Sequence, residues 1–244
     1  MHPATYPGPC DRRAGALRVR RYGRCSYADG LALQQRAARA VAAGGADELL
    51  FVEHAPVITL GRGTTPDQLR ATPGDLAAAG IALHATDRGG GATYHGPGQI
   101  VGYPIVDLRR RGTGVRDYLR ALEAALVTAL RGAGVDARLR PGLTGVWAPG
   151  GKLAAIGVAV RRGITRHGFA LNVTTDLAAF ERIFPCGLDE PVTSLARLGV
   201  GVDAGLLRQR LAGALQDALP PDTGVQPAAP GAPPRTSIAS GARA

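Results

Sequence analysis

Lysine is nearly absent from this 244-residue chain: of 29 lysines and arginines, only Lys152 is lysine. Aromatic residues are scarce too, at 5%. The arginines are scattered and not interleaved with aromatics, which argues against a nucleic-acid-binding face. Cysteine is rare and odd in number. Cys10, Cys25 and Cys186 have no short spacing, which excludes a disulfide framework and a C-x-x-C zinc site. The histidines show no zinc-ligand spacing either. No apolar run reaches the length of a membrane helix, and the N-terminal stretch has neither an apolar core nor a small-residue cleavage site. A cytoplasmic protein without signal or membrane span is therefore expected.

What is present suffices for one domain. The chain is 45% hydrophobic, and its 35 glycines and 18 prolines imply many turns. Residues 1–15 read as a flexible leader, 16–219 as a globular domain and 220–244 as a disordered Pro/Ala-rich tail. The net charge of +10 favours an acidic partner over nucleic acid. The densest basic run, "DLRRRG" at 107–112, reads as a solvated loop.

The pattern alternates helices with paired strands. "DGLALQQRAARAVAAGG" is a helix with Asp29 near its N-cap and Gly44-Gly45 as its stop. "ELLFVEHAPVITLGR" reads as a hairpin turning near Pro56. "TTPDQLR" and "TPGDLAAAG" each place Thr before Pro, the signature of a capped first turn. "IALHATDR" and "QIVGYPIVDL" are strands on either side of a glycine loop. In "VRDYLRALEAALVTALRGAG", Val115, Tyr118, Leu119, Leu122, Leu126 and Leu130 form one core-facing stripe. "GVWAPGGKLAAIGVAV" and "ITRHGFALNV" are strands joined by tight turns, "DLAAFERIF" is a short helix, and a last helix covers about 203–219. Strands in neighbouring pairs indicate an α+β domain with a mixed, mostly antiparallel sheet and flanking helices.

Three features carry chemistry. The first is "ATDRGGGATYHGPGQIVGYPIVDL", residues 85–108. Its glycines permit positive φ and close approach of a ligand to the backbone. It is neither a phosphate-cradling P-loop nor a dinucleotide loop, since no helix opens after it. It suits something thin or apolar, with Arg88, Tyr94 and His95 at its flanks. His95 reads as a hydrogen-bonding structural residue before a catalyst, and His54, His84 and His167 more so. The second is Lys152, in the apolar strand "GGKLAAIGV". A lysine can lose its proton at accessible pH and an arginine cannot, so either the amine must titrate or this lysine is a chance survivor. The third is Cys186 in "FPCGL", where Pro185 and Gly187 place the thiol at a bend. It is a small core residue or a nucleophile, and a neighbouring cation such as Lys152 would activate it. Cys25, just before a helix, reads as structural and Cys10 as incidental.

Taken together, "RGGGATYHGPGQIVGYPIVDL", "GGKLAAIGV", "HGFALNV" and "IFPCGL" resemble the lipoyl(octanoyl) transferase family from about Leu17 to about Leu198. Ala92 departs from it, standing where a β-branched residue is usual. The resemblance implies the catalytic fold of the biotin and lipoate protein ligases. It implies an acyltransferase that moves an octanoyl chain from acyl carrier protein to a lysine of lipoyl domains, those of the 2-oxoacid dehydrogenase acyltransferases and the glycine cleavage H protein. Cys186 would be the acyl-thioester nucleophile and Lys152 its activator and acid/base. Substrate would lie against Arg88, Gly89, Gly90, Gly91 and Ala92, then Thr93, Tyr94 and His95. Two further segments would line it: Ala155, Ile156 and Gly157, then Gly168, Phe169 and Ala170. Neither ATP nor metal would be required, because the acyl group arrives on the carrier's phosphopantetheine arm. A monomer is expected. The rivals are an ATP-dependent lipoate or biotin ligase and a non-catalytic acyl-binding protein.

Overall fold

The computed structural model describes residues 15–184 and 191–224. Its main sheet has the order β1-β2-β6-β9-β8-β7, formed by β1 (Arg18–Cys25), β2 (Glu48–His54), β6 (Gln99–Ile105), β7 (Val146–Ala148), β8 (Gly151–Arg161) and β9 (Ile164–Asn172). A small sheet, β4-β3-β5, contains β3 (Val57–Leu60), β4 (Ala82–Ala85) and β5 (Ala92–His95). Only the β1–β2 and β3–β4 pairs are parallel among the described residues. The α+β class with a mixed, mostly antiparallel arrangement is as expected.

The helices cover the main sheet from both sides. Helix α3 (Val115–Arg131) buries Tyr118, Leu122, Leu126 and Leu130, and α4 (Ala204–Ala218) adds Leu207, Leu211 and Leu215 to the same cluster. Helix α1 (Tyr27–Ala42) packs Leu33, Ala37 and Val41 with Leu50, Val101 and Ala170 in a separate cluster. The short helix α2 (Pro73–Ala78) opens on a capping box between Thr72 and Asp75. Its Leu76 joins Ile58, Tyr94 and Phe180 in a third cluster.

Four expectations change. Residues 48–60 are not a hairpin, because β2 pairs with β1 and β6 while β3 joins β4 and β5 beyond Pro56. Asp29 is not the N-cap of α1. Ser26 takes that place, its side chain accepting from the Asp29 N–H, and Asp29 sits in the positive first turn. Val115 is 44% exposed, outside the stripe that buries the rest of α3. "DLRRRG" is not a solvated loop: Arg110 and Arg111 are 5% and 3% exposed and share the carboxylate of Asp47, at 2.6 and 2.7 Å. Burial of these charges is tolerable because each is paired. Arg111 also donates to the carbonyls of Pro220 and Gly15, and Arg110 pairs with Asp222, so the chain is held as far as 222.

Candidate functional site

Strand β7 pairs with β8 only at its start, which leaves the edge of β8 open from 155 onward. The glycine loop occupies that edge. Gly89 N–H donates to the Val158 carbonyl at 2.8 Å, and on the other side Arg62 and Gly63 donate to the carbonyls of Arg88 and Gly90. Gly90 has φ 81°, a left-handed conformation that glycine adopts without penalty. A Cβ on Gly157 would lie 3.0 Å from the Gly89 oxygen and 3.1 Å from Arg88 Cδ, so glycine at 157 lets the loop close on the strand. Arg88 turns inward: its guanidinium donates to the Thr59 carbonyl at 2.6 Å, to Thr59 Oγ1 and to the Gly89 carbonyl.

Two spaces meet at this loop. An inner slot of about 40 Å³ lies between the main and small sheets. Its lining includes Arg88, Gly90, Thr93, His95, Ala155, Ile156, Gly157, Gly168, Phe169 and Ala170, all expected from the sequence. An outer cleft of about 440 Å³ is lined by Lys152, Gly89, Leu143, Thr144, Leu119 and the exposed Val115, among others. Gly90, Ile156 and Gly157 border both spaces and form the waist. Gly91, Ala92 and Tyr94 line neither. Alternation along β5 sends Thr93 and His95 to the slot and Ala92 and Tyr94 to the opposite face, where Tyr94 meets Phe180 edge to face at 5.5 Å.

Lys152 is held at the head of β8 by its backbone. Its N–H donates to the Pro191 carbonyl at 2.8 Å, and its own carbonyl accepts from Thr193 at 3.0 Å. The ammonium lies 5.1 Å from the Trp147 ring centroid, within cation–π range. Gly145, at φ 138°, makes room for it, since a Cβ there would come within 2.7 Å of Lys152 Cε. No described carboxylate forms an ion pair with Lys152. Cys186 lies outside the described residues. Before it in sequence, the Phe184 N–H donates to the Gln68 carbonyl at 2.9 Å, and after it Pro191 lies beside Lys152.

His54, His95 and His167 are buried, and burial favours their neutral form. Burial pushes His95 down to about 3, with His54 adding to the effect, and its Nδ1 pairs with Gln99 Oε1 at 2.8 Å. Burial pushes His54 down to about 4, and its Nε2 lies 2.7 Å from the Tyr103 hydroxyl. His167 is lowered by burial against the opposing pull of Asp87, 2.8 Å from its Nε2. The buried thiol of Cys25 is pushed up to about 11 by desolvation and Asp29, which makes it a poor nucleophile. Among the described residues no three His, Cys, Asp or Glu side chains converge to hold a metal ion, and no helix is long and apolar enough to cross a membrane.

Sequence reasoning missed several wall residues. Tyr27, Val101, Tyr103 and His167 also line the slot. It also missed Gln68, which accepts from the Ala92 N–H at 3.0 Å through its side chain while its carbonyl accepts from Phe184. Gln68 thus ties the glycine loop to the segment leading toward Cys186. A tyrosine at a helix start and a glutamine in a one-turn helix carry no local signal of such contacts. A separate cleft of about 550 Å³ on the far end of β8, lined by Arg39, Arg109, Arg161, Arg162 and Arg166, contains none of the expected residues.

Comparison with known proteins places the chain in a family. The model of the lipoyl protein ligase A/B catalytic domain covers residues 26–216. The octanoyltransferase of Solibacter usitatus is 52% identical over 183 residues, 75% of this chain and 83% of that protein. The octanoyltransferase of Geobacter metallireducens is 48% identical over 200 residues, 81% of this chain and 91% of its own length. Among solved structures, a bipartite lipoate protein ligase of Thermoplasma acidophilum superposes with a TM-score of 0.65 over 83% of each chain at 21% identity, a likeness of fold. Matched across most of its length by the family model and by relatives of this identity, the chain belongs to the lipoyl protein ligase A/B catalytic-domain family.

Proposed function

We propose that the protein is an octanoyltransferase of protein lipoylation, passing an octanoyl group through Cys186 to a lysine of a lipoyl domain. The observation that carries this reading is the adjacency of two spaces: the cleft that holds Lys152 and a narrow slot share Gly90, Ile156 and Gly157 as lining. Joined at that waist, the two spaces would take a slender hydrocarbon tail with its reacting carbonyl at the Lys152 end. Burial of about seven methylenes, each worth ~0.8 kcal/mol, would contribute roughly 6 kcal/mol before the losses of association. The named activity of relatives at about half identity points the same way.

In the first step the Cys186 thiolate attacks the thioester carbonyl of octanoyl-acyl carrier protein. The new C–S bond forms as the bond to the pantetheine sulfur breaks, and the Lys152 ammonium gives that sulfur its proton. In the second step the target amine attacks the Cys186 thioester. The amide forms, the thiolate leaves, and the now neutral Lys152 takes the amine's proton. Cys186 is five residues before Pro191 in sequence, a stretch that spans at most ~18 Å of chain. That bound keeps the thiol on a short tether to the backbone that pairs with Lys152. Each step exchanges one acyl bond for another, so neither ATP nor a metal is needed. The +10 charge suits an acidic carrier. The acceptors would be the lipoyl domains of 2-oxoacid dehydrogenase acyltransferases and the glycine cleavage H protein.

Intact-mass measurement after incubation with octanoyl-acyl carrier protein tests the reading. One octanoyl adduct is expected, labile to hydroxylamine, absent from Cys186→Ala and indifferent to ATP with magnesium. An adduct that persists in Cys186→Ala would remove the thiol from the mechanism. Lipoyl-domain modification that requires ATP and free octanoate would make the protein a ligase.

A further inference from the structure

Rings form part of the inner slot's wall. Tyr27, in the first turn of α1, lies 5.4 Å from the His54 ring and 6.3 Å from His95. Tyr103 lies 5.9 Å from His54 and 6.4 Å from His167. Tyr27, His95, Tyr103 and His167 border the slot and none borders the outer cleft. They therefore line the slot on the side of the waist away from Lys152.

Each of them has a polar atom committed elsewhere. The Tyr27 hydroxyl donates to Thr86 Oγ1 at 3.1 Å, and the Tyr103 hydroxyl meets His54 Nε2 at 2.7 Å. His95 and His167 pair with Gln99 and Asp87. A wall whose donors and acceptors are paired within the protein offers ring surface to a ligand, which accepts a methyl group and penalises an unpaired polar one. The other rings sit in hydrogen bonds within the sheets or to buried partners. Tyr27 alone comes from a helix, and its single hydroxyl contact is to a loop residue next to Asp87.

We propose that Tyr27 is the end stop that sets acyl length, with Tyr103 and His54 backing it. This rests on the octanoyl reading above. Truncating the phenol extends the slot at its closed end, and each additional methylene admitted improves use of the longer donor by about fourfold. Filling the end with a larger ring shortens the usable chain.

The test compares kcat/KM for hexanoyl-, octanoyl-, decanoyl- and dodecanoyl-acyl carrier protein in the parent and two variants. Tyr27→Ala is expected to raise the dodecanoyl-to-octanoyl ratio at least about tenfold, two or more methylenes' worth. Tyr27→Trp is expected to move the preference toward hexanoyl. If Tyr27→Ala does not fold, Tyr27→Leu carries the same expectation with more of the volume retained. Variants that keep the parent's length profile overturn the end stop while leaving octanoyl transfer intact. A parent protein that transfers none of these chains overturns the reading beneath it.

Discussion

In the inner slot the phenol and imidazole groups are paired within the fold, whereas in the outer cleft Lys152 reaches over the Trp147 ring with no described carboxylate beside it. The two spaces are a few residues apart on one strand, yet they differ in the surroundings of their ionisable groups. Burial favours the neutral form of His95, on the slot wall, and of His54 behind it, while the sole lysine lines the outer cleft. The contrast separates two tasks. A dry, neutral end suits a hydrocarbon, and a cation beside a solvent-connected cleft suits proton transfer.

The comparison can be broken most decisively through pH. Burial depresses both imidazoles, so the unfolded chain binds protons that the folded one refuses. The stability they contribute is complete above the free imidazole value of 6.5 and is lost as pH falls toward the folded values of about 4 and about 3. From about pH 7 to about pH 5 each should cost on the order of 2 kcal/mol of unfolding free energy. Urea titrations at the two pH values check this, and His95→Gln should make the dependence shallower. A flat profile would mean that the closed end is wet or charged.

At the open end, Lys152→Arg keeps the charge and removes the titration. A loss of at least about a hundredfold in transfer to a lipoyl domain is expected, the usual scale of acid–base assistance. The variant should unfold at the parent's urea midpoint, since Lys152 is only half-buried. Near-parent turnover in Lys152→Arg would reduce the lysine to a positive charge. At the waist the effect should be smaller. Gly157→Val forces a branched side chain against the Gly89 carbonyl, and overpacking of this kind typically costs 1–3 kcal/mol, so octanoyl use should fall about tenfold. Acetyl use should fall less. Equal losses for both donors would show that the waist is not on the path.

The parts legible in the sequence were those written locally. Leu122, Leu126 and Leu130 recur at helical spacing, and the turns at 149–151 and 162–163 separate three apolar strands, so α3 and β7 to β9 follow from pattern alone. Strand β1, "RVRRYGRC", did not, because an arginine-rich edge strand with one buried position offers no alternation to read. The supposed hairpin at Pro56 failed for a different reason: a corner between two sheets and a turn within one carry the same residues. Val115 has the spacing of the core stripe, but it sits where α3 overhangs the Lys152 cleft. At the site, the glycine loop and both other wall segments were visible as motifs. Tyr27, Tyr103 and Gln68 were not, since their roles arise from helix and sheet faces meeting across long separations in sequence.

The buried pair of arginines at 110 and 111 has a consequence for how this domain can be handled. Arg111 takes the carbonyls of both Gly15 and Pro220, and a Cβ on Gly15 would lie 3.3 Å from the Asp222 oxygen. The entry and exit of the fold are therefore neighbours, clipped to the single carboxylate of Asp47. A short linker from 222 to 15 would close the ring, and new ends opened in an exposed turn such as Arg162-Gly163 would yield a circular permutant with the same core and the same cavity. A lipoyl domain appended to such ends would ride at the far end of β8, away from Lys152.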